Sequence, residues 1–268
     1  MINAVKSELR KFFTTRLWWG MAIGIFVAAA LFAALFALSY TSEGMGGAGG
    51  PGGMEGGEVQ IANSVYTSGL GIGYLLLLTI GVMQIGSEYR HKTITGTFLS
   101  TPRRVQAIGA KIIALLVLGA VYGLISLVGS VAVGAPILAM NDFSPFPDIE
   151  VLRSLALALL ALGLWALIGF GVGVLIPNQV AALLVGIGFA WIVEPLLGFG
   201  LSFWEFGREH LVKYFPSQAT NAMVDTVTMA GPNAPENLSW WAAALVLLAW
   251  AAVLAGLGAL RATRQDVA

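Results

Sequence analysis

The chain has 268 residues, 57% hydrophobic and 10% charged, with fourteen basic and fourteen acidic side chains and no cysteine. A soluble domain carries about 25% charged residues, so this balance and a mean hydropathy of +0.83 exclude an ordinary water-soluble fold. Without cysteine, disulfides, thiol catalysis and thiolate metal sites are excluded as well, and a formal net charge of zero carries information only through its distribution.

The apolar residues fall in continuous blocks, each long enough for a helix rising 1.5 Å per residue to cross about 30 Å of hydrocarbon. Inside lipid every backbone polar group must be satisfied within the protein, which leaves helices or closed barrels. Continuous blocks, rather than alternating ten-residue segments, select helices. The predicted fold is therefore an all-α membrane protein, one transmembrane domain over 1–268 with six spans at 17–40, 63–86, 109–139, 152–176, 179–198 and 239–260.

Residues 2–16 are amphipathic. Ile2, Val5, Leu9, Phe12 and Phe13 share one arc, while Asn3, Lys6, Ser7, Glu8, Arg10 and Lys11 point elsewhere. This suits a helix over 1–16 lying along the membrane interface among lipid headgroups, with Trp18 and Trp19 at the aromatic belt; a plain basic topogenic tail is the blander alternative. The block from Leu17 to Leu38 exceeds the 7–15 residues or so of a signal-peptide core, which favours an uncleaved first span. The stretch 44–57 is glycine-dominated and reads as a flexible external linker. Its Met45 and Met54, without His or Cys, make no soft-metal site.

In the loop at 87–108, Thr101-Pro102 reads as a helix start, with a capping threonine and a proline at the first helical position. That helix should continue through Lys111 into the third span, where Pro136 should disturb the last turn. Glu88 and Arg90 sit just outside the bilayer, and Ile94, Phe98 and Leu99 supply apolar contacts; either a docking surface for a soluble partner or an ordinary basic loop fits. Gly119-x-x-x-Gly123, Ser126-x-x-x-Ser130-x-x-x-Gly134 and Gly169-x-x-x-Gly173 should let helices approach closely within the chain. Pro177 and Asn178 leave only a tight turn between the fourth and fifth spans.

The segment 194–238 is long and partly apolar. Glu194-Pro195 is expected to interrupt the helix, and Phe203, Phe206, Leu211 and Tyr214 recur at helical spacing until Pro216 ends the pattern. A re-entrant helix buried against other spans and a surface-lying helix both fit. Glu194, in an apolar block, is either a functional group, with Arg153 as a candidate partner, or a structural one that satisfies backbone at the break. Trp165, Phe170, Phe189 and Trp191 are candidates to line a path for apolar cargo.

Orientation follows from the basic residues. Eleven of the fourteen flank one side: Lys6, Arg10, Lys11 and Arg16; Arg90, Lys92, Arg103, Arg104 and Lys111; Arg261 and Arg264. The other side has Arg153, Arg208 and Lys213 and most of the acids, so both termini and the 87–108 loop are expected in the cytoplasm.

The pattern Glu88-Tyr89-Arg90, Thr93-Ile94, Thr97 and Pro102-Arg103-Arg104 resembles the loop after the second span in bacterial type-2 ATP-binding-cassette (ABC) exporter permeases. The order of elements along nearly the whole chain is similar too, with Glu194-Pro195 and Tyr214-Phe215-Pro216-Ser217 resembling that family's signals after span five. Where the family often has glycine before the first threonine, this chain has Lys92. The resemblance implies a permease of the bacterial plasma membrane that pairs with a second copy or a close paralogue. A separate ATPase subunit, which binds ATP and Mg, would drive it. It implies Glu88, Tyr89, Arg90, Thr101, Pro102, Arg103 and Arg104 as coupling residues, and Glu194, Pro195, Trp191 and Phe189 as a substrate path or external gate.

The chain has no G-x-x-x-x-G-K-[ST], H-E-x-x-H or G-x-S-x-G, and His91 and His210 fall on opposite sides, so neither a cofactor of its own, nor a metal, nor catalysis is expected. Nucleic acid is not an expected partner; membrane lipids are. Apolar walls suit a lipid, an amphipathic peptide or a drug as cargo. An ATP-independent secondary transporter or channel is the alternative, disfavoured because charged relays and paired broken repeats are lacking.

Overall fold

The computed structural model describes residues 2–41, 57–91, 104–226 and 238–264. The linker at 44–56, the loop at 92–103 and the segment 227–237 lie outside them. Helices α1 (Ile2–Phe13), α2 (Leu17–Thr41), α3 (Glu58–Thr67), α4 (Leu70–Arg90), α5 (Arg104–Met140) and α6 (Ile149–Leu175) form the first two thirds. Helices α7 (Gln179–Gly188), α8 (Glu194–Ser202), α9 (Pro216–Met223) and α10 (Trp240–Arg264) complete the chain, and no strand occurs among the described residues. Among the described residues, six helical stretches are long and apolar enough to cross a membrane: Leu17–Thr41, Glu58–Arg90, Gln106–Met140, Ile149–Leu175, Gln179–Ser202 and Trp240–Arg261. The molecule is an all-α, multi-pass membrane protein.

Small residues decide how closely the spans pack. Helix α6 lies centrally, against α4, α5 and α10. A Cβ on Gly81 or Gly169 would run into facing backbone at Ala166 and Leu78, and one on Gly119 into Gly163. The Gly169-x-x-x-Gly173 and Gly119-x-x-x-Gly123 pairs thus serve contacts inside the chain, as expected. With lipid on the outside, such close approach supplies dispersion contacts that the hydrophobic effect does not. Helix α2 and the fifth span leave much apolar surface outward, including Leu31, Leu35, Leu184 and Leu196.

Two features of the spans differ from expectation. The second span is interrupted at Ser68–Gly69, where Thr67 and Ser68 hydroxyls bond back to Asn63 and Val65 carbonyls. Gly69 fits there because a Cβ would stand 2.7 Å from the Ala29 Cα. Pro136 stands in the last turn of its helix, which ends at Met140, close to the expected end. Glu194-Pro195 does not interrupt the fifth span: the turn before it, Phe189–Val193, widens to a π turn, and the helix continues to Ser202. A π turn absorbs the hydrogen bond that proline cannot donate.

The chain reverses only at Phe203 and Trp204, nine residues beyond Glu194. A descending arm follows through Gly207–Leu211 and Val212–Tyr214. Pro216 closes that arm and also opens α9, standing at its first position after the extended Phe215. Helix α9 packs on α10 and α6, with the Thr220 hydroxyl 2.9 Å from Nε1 of the buried Trp165. Helix α9 is thus buried against other spans, whereas Phe203, Phe206, Leu211 and Tyr214 of the arm point outward.

Candidate functional site

The N-terminal helix is amphipathic, but it is rolled differently from the arc read in the sequence. Ile2 and Phe13 point outward, whereas Phe12 and Glu8 face the protein. Phe12 meets Tyr122 of α5 edge-on at 6.0 Å, and the Tyr122 hydroxyl donates to the Trp18 carbonyl at 2.8 Å. These contacts fix α1 against the first half of α5. They also carry Glu8 and Lys11, one turn apart, into the crevice where α4 ends and α5 begins.

Four charges meet there. The Lys111 ammonium lies 2.7 Å from Glu8 Oε2 and 2.8 Å from Glu88 Oε1. The Lys11 ammonium lies 2.8 Å from Glu8 Oε1 and 2.9 Å from the same Glu88 oxygen. The Gln84 amide adds a donor to Glu8 Oε2 at 3.3 Å. Lys111 is 3% exposed, and Glu8 and Glu88 are buried, while Lys11 reaches solvent. Two carboxylates and two ammonium groups cancel, which is what makes so much buried charge tolerable: paired ions repay part of their desolvation, whereas one left alone does not.

The electrostatics agree with that balance. Burial pushes the Glu8 carboxyl up, but Lys111 and Lys11 together more than offset this and hold it below the usual glutamate range. Burial likewise pulls Lys11 down, and its bonds to Glu8 and Glu88 outweigh it, leaving the ammonium above the usual lysine range.

The expected coupling residues divide in three. Glu88 joins the cluster, and Tyr89, half-buried beside it, packs on the core within reach of the Arg261 charge. Arg90 and His91 are exposed where α4 ends. Thr101, Pro102 and Arg103 lie outside the described residues, and Arg104 opens α5, which runs unbroken through Lys111. Arg261 of α10 donates to the Leu175 carbonyl, tying the C-terminal helix to the last turn of α6 on this same side.

The expected gate residues are not brought together. Glu194 is 2% exposed and faces inward, whereas Trp191 is 58% exposed and Phe189 also points outward; Trp165 and Phe170 are buried in the core. Pro195 lies beyond the π turn, within the continuing helix. Arg153 does not partner Glu194: it pairs with Glu150 at 3.4 Å and lies over the Trp240 ring at 5.6 Å. Glu194 does satisfy backbone, but that of Ser217 rather than its own break.

Glu8, Lys11, Gln84 and Lys111 were not singled out by the sequence reading. One signal was available. Lys111 stands inside the apolar opening of a span, and Glu88 stands inside the close of the span before it. Opposite charges at equal depth on consecutive helices invite pairing.

No family model matches the chain, and comparison with curated proteins finds no matching sequence.

Proposed function

We propose that the chain is the membrane-spanning permease subunit of an ATP-driven exporter of the type-2 ABC class. The observation that supports this best is the four-charge cluster, because it joins Glu88, the first residue of the motif that carries the resemblance, to the interfacial helix and to the start of the third span. Three elements tied by ions at one point move together. A push on the loop between α4 and α5 would therefore reach α1 and both attached spans as one rigid displacement.

In this reading the termini and that loop face the cytoplasm of a bacterial cell, where basic residues are retained. A second copy or a close paralogue completes the pathway, and a separate ATPase subunit binds ATP and Mg and docks beneath the loop. Cargo is a lipid, amphipathic peptide or drug drawn from the inner leaflet or cytoplasm. Glu88 acts as a positioning residue within the cluster; Arg90, Thr101, Pro102, Arg103 and Arg104 are the candidates for contact with the ATPase.

Purification of the chain from its native membrane should bring an ATPase with it. Turnover of that ATPase should fall in Glu88→Ala and Arg103→Ala while both chains remain assembled. Unchanged assembly and turnover in both variants would remove the coupling roles. Labelling of a cysteine placed at Thr95 from outside intact cells would remove the orientation, and the reading with it.

A further inference from the structure

Glu194 has no part in the function proposed above, yet its surroundings are specific. Its Oε1 accepts the Ser217 N–H at 2.7 Å and the Ser217 hydroxyl at 2.6 Å, and the Gln218 N–H adds to this carboxyl group. Phe215, at the position that normally caps a helix, gives α9 no side-chain bond. Glu194 therefore caps α9 from another helix, 23 residues away. Its second oxygen, Oε2, is fully buried and has no hydrogen-bond partner among the described residues.

No basic side chain among the described residues forms an ion pair with it. Tyr74 of α4 is close enough to feel its charge. On the descending arm, Arg208 is turned to Glu209 at 4.0 Å and Lys213 lies over the Tyr214 ring at 5.8 Å, while the His210 ring packs on Phe206. Helix α9 has no titratable residue, Asp225 beyond it lies beside Glu150 and Arg153, and Arg261 of α10 is bonded to Leu175.

The two influences on this carboxyl oppose each other. The N-terminus of α9 favours an anion, but that helix is two turns long, and both bonds from Ser217 serve Oε1. An anion would leave Oε2 with neither donor nor counter-ion in a site closed to water, a heavy penalty. A neutral carboxyl leaves only an unpaired hydroxyl there, which costs far less. We propose that Glu194 is a proton-binding site, protonated while its carboxyl caps α9. When the arm lifts and water enters, the O–H bond breaks, the proton passes to water and the group becomes a carboxylate. Seating the arm takes up one proton, so acid favours the seated arm and alkali loosens it.

Infrared spectra of the intact chain in lipid nanodiscs, taken from mildly acid to mildly alkaline buffer, test this. The carbonyl stretch of a neutral carboxylic acid is expected at neutral pH and should be missing from E194Q. That variant keeps one acceptor and one donor in place and should melt with the wild type. A wild-type spectrum without the band at neutral pH overturns the assignment, as does a band that persists in E194Q. If E194Q does not fold, E194D decides: the band must move or vanish when that side chain changes, and an untouched band overturns the proposal. No ATPase is needed, so the outcome is separate from that of the exporter reading.

Discussion

Two buried glutamates sit at different depths of this molecule and are satisfied in different ways. Glu88 is held by two ammonium groups in a cluster of four charges. Glu194 is held by one serine and a helix N-terminus, with no cation among the described residues in the arrangement. The first solution is strong only while its buried members are present, because removal of one of them leaves an uncompensated buried charge. The second is weaker per bond, but it can be undone without stranding a charge if the carboxyl is neutral. A site that transmits force gains from the first kind of joint, and one that opens gains from the second.

The largest expected effect breaks the cluster. Lys111→Ala leaves two buried carboxylates sharing only Lys11, and should cost about 3–5 kcal/mol of stability in a thermal or denaturant melt. Acidification attacks the same joint and should come next. Glu8 is held below its usual range, so its contribution is complete above the unfolded value of 4.5 and is lost as pH falls through the lower folded value. Hydrogen exchange of α1 should accelerate in that acid window before exchange of α6 does. Lys11 sets the other limit: its contribution is complete below 10.5 and is lost only as pH rises through the higher folded value.

Ser217→Ala removes the hydroxyl but keeps the backbone donor of the cap, and should cost about 0.5–1.5 kcal/mol by the same melts. The smallest effect belongs to Lys11→Ala. Its side chain is 49% exposed, and Lys111 stays to serve both carboxylates, so a loss within about 1 kcal/mol is expected. A Lys11→Ala effect as large as that of Lys111→Ala would show that the cluster acts as one unit, with no distinction between buried and exposed members.

The spans were legible because lipid imposes a length and forbids exposed backbone, and both rules act on residues adjacent in sequence. Their ends agree with expectation to within a few residues, apart from the second span, which starts at Glu58 rather than at 63 because its first turn is less apolar. Glu88 was visible through its motif. Its partners were not, because counting lysines for orientation treats each as a charge at the surface, and Lys111 is nothing of the kind. Pro195 was misread for a related reason: a proline breaks an α-helix locally, but whether a wider turn absorbs it depends on what the rest of the helix must face. Arg153 and Glu194 looked like partners on charge alone, and the backbone of Ser217, invisible to any count of charges, took the place.

The wide turn at Phe189–Val193 has a further consequence for phase. Ala182, Gly186, Ala190 and Glu194 are the buried residues of the fifth span, one every four positions. In a regular helix, turning about 100° per residue, such a line creeps around the axis by about 40° at each step. A turn that rotates less per residue reverses the creep, so the last of the four returns to the line of the first three. The width of this one turn therefore sets the compass bearing of Glu194 relative to Ala182, Gly186 and Ala190.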